Sequence, residues 1–183
     1  MLAQTITESS ISLRTALVSD VPSVEELVHI AYRGGKATVS WKNEDYLVKG
    51  PRIAAPQLHE LVASNTDAIL LAETKNDPPQ LVGCVLIEKQ GSDAHIGLLS
   101  VHPEFQNLGL GKLLVSAAEQ HAQSLFKCAA AKMFVLSGRD ELLKWYKRLG
   151  YEETGETTQF PGPETGLTAI LSDAHFIVIS KPL

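Results

Sequence analysis

The sequence has few cysteines, no basic stretch and no long apolar run, and each shortage excludes a class of protein. Its 183 residues include two cysteines, Cys84 and Cys128, which lie far apart and form no CxxC pair. A disulfide framework is therefore excluded, and a reducing compartment is favoured. No stretch approaches the roughly 20 apolar residues of a membrane-spanning helix, and the opening residues lack the features of a signal peptide. We expect a cytoplasmic protein without a membrane partner.

The charge balance argues against a nucleic-acid partner. The chain has 16 basic and 21 acidic residues and a formal net charge of -5, and its basic residues form no run that could follow a phosphate backbone. Its histidines do not cluster with cysteines or carboxylates at the spacing of metal ligands. We therefore predict no nucleic-acid surface and no metal site. Hydrophobic residues make up 44% of the chain, which is enough for a core, and we predict a single domain over residues 1–183.

Apolar periodicity predicts an α/β protein in which strands alternate with helices. The strand at 67–75 and the strand at 80–90 are joined by "NDPPQ", which predicts a hairpin with a loop. The predicted strands are 11–17, 67–75, 80–90, 95–101, 131–137, 151–160 and 174–183, and the predicted helices are 20–34, 56–65, 109–126 and 139–150.

The stretch "VHPEFQNLGLGKLL", residues 101–114, predicts an anion site at a strand-to-helix junction. Pro103 ends the strand because it has no N–H to donate. The first turn of the following helix has N–H groups without internal partners and a partial positive charge. Glycines at 109 and 111 allow a ligand to approach the backbone closely. These features together suit a phosphate or a pyrophosphate.

Two common phosphate motifs do not fit this junction. A P-loop requires a glycine at the position of Gln106 and a Ser or Thr at the position of Leu113. A dinucleotide-binding GxGxxG requires a third glycine where Leu114 stands. The pattern that does fit is Gln-x-x-Gly-x-Gly, and the segment around it resembles the central strand, loop and helix of the GNAT acetyltransferases. "LRTALVSDVPSVEELVHIAYR" and "ELLKWYKRLGYEETGE" resemble the opening and closing motifs of that family, in the same order.

The resemblance implies a GNAT-like fold and a nucleotide cosubstrate. The fold would be α/β, with a mixed, mostly antiparallel central sheet, flanking helices and a splayed central strand pair. Acetyl-CoA would bind with its pantetheine arm in the splay, beside the backbone of Leu99 and Val101. The backbone N–H groups of the motif would hold its pyrophosphate. The residues implied are Gln106, Asn107, Leu108, Gly109, Leu110, Gly111 and Lys112.

The resemblance also implies direct transfer of the acetyl group to a primary amine. Tyr146 matches the family's tyrosine, which protonates the leaving sulfur, and a phenol retains its proton at neutral pH. Family members often have a glutamate on the strand before the loop, but "HIGLLSV" contains no carboxylate. Glu88 on the preceding strand is the candidate base, with His95 or a water relay as alternatives.

The acceptor site is predicted on the first helix and the loop after it. Tyr32, Arg33 and Trp41 are the candidates, because arginine pairs with acidic groups and aromatic rings stack. The segment at 157–170 is predicted to cover this site. The acceptor is a small-molecule amine or a peptide amine, and the protein is a monomer or a homodimer. Two alternatives stay open: a CoA-binding module without catalysis, and a transferase for a longer acyl group.

Overall fold

A computed structural model describes residues 10–33, 47–161, 168–170 and 173–183. Nine strands and four α-helices are found in these ranges, together with 3-10 helices at Val18–Asp20 and Pro103–Phe105. The strands are β1 (Ile11–Thr15), β2 (Val48–Lys49), β3 (Asp67–Thr74), β4 (Leu81–Gln90), β5 (Asp93–Val101), β6 (Ala130–Leu136), β7 (Glu152–Gln159), β8 (Thr168–Ala169) and β9 (His175–Pro182). The helices are α1 (Val21–Arg33), α2 (Ala55–Ala63), α3 (Leu110–Ser124) and α4 (Asp140–Arg148).

Seven of these strands form the central sheet, in the order β1-β3-β4-β5-β6-β9-β7. Neighbouring strands are antiparallel except β5 and β6, which are parallel. The C-terminal strand β9 lies between β6 and β7, so the end of the chain completes the sheet. Strands β2 and β8 form a separate antiparallel pair.

The helices cover both faces of the sheet, and each face has its own apolar core. On one face, α3 packs through Leu114, Ala118 and Ala122 against inward residues of the central strands, in a cluster that also includes Tyr146 of α4. On the other face, the buried side of α1 packs with Leu58 of α2 against the opposite side chains of β3 and β4. This alternation follows from the two-residue period of the strands.

The predicted elements are found in the predicted order, with ends shifted by one or two residues in most cases. The main helix begins at Leu110 rather than Gly109 and ends at Ser124 rather than Phe126. The hairpin of β3 and β4 is formed with the predicted connecting loop. Of the described helices, none is long and apolar enough to cross a membrane.

Candidate active site

The central feature of the site is the separation of β5 from β6. The two strands pair only over Asp93–His95 and Ala130–Lys132. Beyond this short ladder, the remainder of β5 pairs with β4 and the remainder of β6 pairs with β9. The edges of β5 and β6 that face each other are therefore released from pairing, and their backbone polar groups are available to a ligand.

A cavity of about 430 Å³ lies in the opening between the two strands. Ile96, Leu98 and Leu99 of β5 line one side. The other side is lined by β6 from Met133 to Leu136, and Tyr146 of α4 also contributes. A cavity of this size, mostly apolar and with few polar groups, is typical of a small-molecule site.

A β-bulge distorts β5 where it borders this cavity. Cys84 pairs with Ser100 and Leu86 pairs with Gly97, so one more residue lies between the pairs on β5 than on β4. Leu98 occupies the bulge with φ of 47°, a conformation that non-glycine residues rarely adopt. A bulge releases backbone groups from the ladder. Here the released carbonyls are bonded by side chains, that of Leu98 by the Ser100 hydroxyl at 3.0 Å and that of Leu99 by Tyr32.

The loop after β5 is fastened to the strand by its glutamine. The side-chain Nε2 of Gln106 donates to the carbonyl oxygen of Val101 at 3.0 Å. Asn107 and Gly109 adopt positive φ values of 64° and 82°, which allows the chain to turn sharply into α3. In the described part of the chain, no protein acceptor is found for the backbone N–H groups of residues 107–112.

These N–H groups border a second cavity of about 250 Å³ at the N-terminus of α3. Gly111 and Trp145 face each other across it, and a Cβ on Gly111 would lie 3.4 Å from Trp145. Val101 and Trp145 line this cavity, while their neighbours Leu99 and Tyr146 line the first. The two cavities therefore adjoin along β5 and α4, which suits a ligand with an anionic end and a long arm.

Tyr146 is 5% exposed and packs by edge contacts on Trp145 and Tyr151, with ring centroids 4.8 and 5.8 Å apart. Its position in α4 directs it to the cavity between the strands. The tyrosine predicted as the acid is therefore both packed and in the site.

The structure joins the two candidate bases, Glu88 and His95, into one pair. They are directly opposite each other on β4 and β5, and His95 Nδ1 lies 2.6 Å from Glu88 Oε2. His95 lines the cavity between the strands and stacks on Phe134 with ring centroids 4.7 Å apart. Glu88 is behind the imidazole and does not line that cavity. With Nδ1 bonded to the carboxylate, Nε2 has no partner among the described residues.

Gly97 provides the space that the imidazole occupies. A Cβ at this position would lie 3.2 Å from Cε1 and 3.4 Å from Nε2 of His95. The edge of the ring that carries Nε2 therefore lies over a residue that also lines the cavity. The two residues share one face of β5, as residues i and i+2 of a strand do, but the sequence does not indicate that the imidazole turns towards Gly97.

Of the predicted acceptor residues, Tyr32 and Arg33 line the cavity, and Trp41 lies outside the described residues. The Tyr32 hydroxyl donates to the Leu99 carbonyl at 3.2 Å. The Arg33 guanidinium donates to the carbonyl of Gly50 at 2.7 Å and to that of Tyr32 at 3.2 Å. Arg52, which the sequence analysis did not single out, also lines the cavity.

Part of the segment predicted to cover the acceptor site lies at the cavity between the strands. Phe160 and Pro161, which follow β7, line the cavity between the strands. Residues 162–167 of the same segment lie outside the described residues.

In the described ranges, Cys84 is not set up as a nucleophile and no cluster of metal ligands is found. Burial raises the pKa of the Cys84 thiol to about 12, so it stays protonated and is a poor nucleophile. No group of three or more His, Cys, Asp or Glu side chains is placed to hold a metal ion in those same ranges.

Comparison with known proteins identifies the family. A model of the Acetyltransferase (GNAT) family matches residues 35–151, which is more than half of the chain. The chain belongs to this family. The family predicted from the Gln-x-x-Gly-x-Gly loop and the Tyr-x-x-x-Gly-Tyr helix end is thus confirmed. The matched residues include β5, α3, β6 and α4, which line the two cavities.

Two solved GNAT structures share the fold. The spermidine N-acetyltransferase of Vibrio cholerae, solved with CoA and spermine, gives a TM-score of 0.68 at 14% identity over 96% of each chain. The ribosomal-protein-S18-alanine N-acetyltransferase of Escherichia coli gives 0.69 at 12% identity, over 94% of this chain and 93% of that one. The predicted fold class is confirmed by these likenesses.

A curated relative is similar in sequence over part of its length. The amino-acid acetyltransferase of Pasteurella multocida (strain Pm70) is 25% identical over 146 residues, which is 79% of this chain. The chain spans 28% of the length of that relative.

Proposed function

We propose that this GNAT domain transfers an acetyl group directly from acetyl-CoA to a primary amine. The observation that carries the proposal is the opening between β5 and β6, which leads to a loop with unpaired N–H groups at the start of α3. Acetyl-CoA has the matching shape, with a diphosphate, a long amide-bearing arm and a reactive thioester at its end. The related proteins named above are acetyltransferases of amines, which supports the same reaction class here.

The diphosphate binds to the backbone N–H groups of residues 107–112, whereas the N–H of Gln106 already donates to the carbonyl of Pro103 at 3.3 Å. Positive φ at Asn107 and Gly109 directs successive amides into the cavity, and the dipole of α3 favours negative charge there. The side chain of Gln106 acts indirectly, because its bond to Val101 fixes the turn to the strand. The pantetheine arm then extends along β5 towards Leu99.

His95 accepts the proton of the acceptor amine, and Glu88 holds the imidazole in position. Hydrogen bonding of Nδ1 to the carboxylate leaves the Nε2 lone pair for the substrate. The carboxylate also stabilises the imidazolium that forms when the proton arrives. Glu88, the base predicted from the sequence, therefore has a positioning role in this proposal, because it bonds to the imidazole and lines the adjoining groove rather than the cavity between the strands.

The neutral amine attacks the thioester carbonyl and forms a tetrahedral oxyanion. A backbone N–H at the bulge around Leu98, which lines the cavity, stabilises this oxyanion in the proposal. When the intermediate collapses, the C–S bond breaks and Tyr146 gives its phenolic proton to the departing thiolate. The nitrogen loses its second proton as the amide forms, and this proton restores the phenol of Tyr146, while the proton held by His95 passes to solvent. Products are the N-acetylated amine and CoA.

We also propose that residues 1–183 form one domain. The strand at the C-terminal end, β9, pairs with β6 and with β7, so the sheet is incomplete without it.

The proposal is tested by measuring CoA thiol release from acetyl-CoA with a panel of primary amines. Mass spectrometry of each acceptor should show the addition of one acetyl group. Binding of acetyl-CoA without transfer to any amine would instead favour a CoA-binding module. Faster transfer from a longer acyl-CoA than from acetyl-CoA would favour the longer acyl donor.

A further inference from the structure

Arg52 stands where two cavities meet. It lines the opening between β5 and β6, and it also lines a groove of about 530 Å³ that extends from there towards α2. His95, Gly97 and Leu98 are shared by the same two spaces. A molecule that reaches the thioester through the groove would therefore pass both the proposed base and this guanidinium.

The guanidinium of Arg52 is held in place by neighbouring side chains. Its Cζ lies 5.4 Å from the centre of the Tyr32 ring, a cation–π contact. Tyr32 is itself fixed by its bond to the Leu99 carbonyl, and Arg33 binds the carbonyl of Gly50, two residues before Arg52. Both acceptor residues predicted from the sequence thus help to position an arginine that the sequence analysis did not find.

Within the described ranges, two other arginines form ion pairs with carboxylates of the protein, and Arg52 does not. Arg14 pairs with two acidic residues and Arg139 pairs with Glu141. Arg52 is half-buried and forms no ion pair with a carboxylate in the described part of the chain, although Glu60, Asp67 and Glu88 line the same groove. The lining of the cavity between the strands includes no carboxylate among the described residues. A partly buried guanidinium with this setting suits an anionic group of a ligand.

We infer that Arg52 binds a carboxylate of the acceptor, so that the substrates are amino-acid-like amines rather than polyamines or amines of peptides lacking a nearby carboxylate. This inference rests on the proposed function, because it specifies the acceptor of the same site. The guanidinium binds the carboxylate through two N–H groups, while the amine of the same molecule lies towards His95 and the thioester. We assign the carboxylate to the acceptor and not to the acyl donor. Arg52 lines the groove through which the acceptor would approach, as well as the strand opening that would hold the arm of acetyl-CoA.

Calorimetry tests the inference without requiring turnover. The enzyme saturated with CoA is titrated with the standard L-amino acids and with their carboxamides. At least one amino acid should bind, and its carboxamide should bind at least 10-fold more weakly. Arg52→Met should remove this difference, whereas Lys49→Met, which removes an exposed positive charge nearby on β2, should preserve it.

Three results would overturn the inference. Equal binding of an amino acid and its carboxamide would favour a peptide amine as the acceptor. The absence of binding by every amino acid would also contradict it. If Arg52→Met weakened the binding of succinyl-CoA and left the binding of acetyl-CoA unchanged, the carboxylate that Arg52 binds would belong to the acyl donor. Failure of the proposed function is recognised separately, since amino acids could then bind while acetyl-CoA is never turned over with any amine.

Discussion

The imidazole Nδ1 of His95 lies 2.6 Å from Oε2 of Glu88, across the ladder between β4 and β5. The pair resembles the carboxylate–histidine arrangement of other acid–base sites, in which the carboxylate fixes the tautomer and the other nitrogen meets the substrate. Lys132, opposite His95 on β6, is neutralised by Asp93 at 2.8 Å. Arg52 borders the same cavity from the α1 side.

Replacing His95 by Asn should lower kcat by about 100-fold, the typical contribution of a general base. Affinity for acetyl-CoA should change little, because His95 is distant from the turn that binds the diphosphate. Glu88→Gln should lower kcat less, since the imidazole remains.

The exposed histidine of α2 gives a matched control for this prediction, because His59→Asn should leave kcat unchanged. If His95→Asn retained the kcat of the wild type, a different base would be at work.

Gly97→Ala should disturb the imidazole while sparing the fold. The new Cβ would approach Cε1 of His95 to 3.2 Å, so the ring must move by a few tenths of an ångström. We expect a loss of about 10-fold in kcat, of the kind that small misplacements of reacting groups cause, with an unchanged unfolding temperature. Wild-type turnover in Gly97→Ala would show that the position of the ring is unimportant.

Tyr146→Phe should lower kcat by about 100-fold and preserve the Kd for CoA. The substitution removes the phenolic proton but retains the edge contacts of the ring with Trp145 and Tyr151. The comparison of kcat with Kd separates a proton donor from a packing residue. Parallel losses in turnover, CoA affinity and stability would assign Tyr146 to the core alone.

Asp20 should stabilise the fold in a pH-dependent way. It accepts two hydrogen bonds from the Arg14 guanidinium at 2.6 and 2.9 Å. The Arg14 side chain is the main cause that holds the pKa of Asp20 below its usual range. A carboxyl group with a lowered folded-state pKa contributes stability above its unfolded pKa and loses it as pH falls through the folded pKa.

Asp20→Asn should therefore lower the free energy of unfolding by about 1 kcal/mol at neutral pH. Urea titrations should show that this difference from the wild type narrows below about pH 4. The exposed Asp173→Asn serves as the control. A difference that stays constant with pH would mean that the ion pair is not its source.

Much of the fold could be predicted from the sequence because its signals are local. The Gln-x-x-Gly-x-Gly loop uses left-handed φ at Gly109 and an open first helical turn, both of which are determined within a few residues. The hairpin of β3 and β4 and the stripe of α3 also depend on short-range periodicity. Assignment of these elements was therefore accurate to within one or two residues at most ends.

The parts that could not be predicted depend on strand register or on contacts between residues distant in sequence. Nothing near His175 in the sequence indicates that β9 enters the sheet between β6 and β7. The pairing of Glu88 with His95 requires the register of the hairpin between β4 and β5. Arg52 lies in a polar stretch without periodicity, and its role depends on the approach of Tyr32 from α1.

The central claim is that the amides of residues 107–111, in the turn after Gln106, bind the diphosphate of coenzyme A. Gly111→Val tests it, because valine is at least as compatible with a helix as glycine and its branched side chain would fill the cavity that these amides border. Gly111→Ala is the smaller step, with a Cβ that meets Trp145 at an ordinary 3.4 Å.

The most direct measurement is the calorimetric Kd for CoA in Gly111→Val, with the unfolding temperature taken on the same sample. We predict a Kd at least 10-fold higher than that of the wild type and an unchanged unfolding temperature. A wild-type Kd in the folded variant would contradict the account, since the diphosphate would then bind elsewhere.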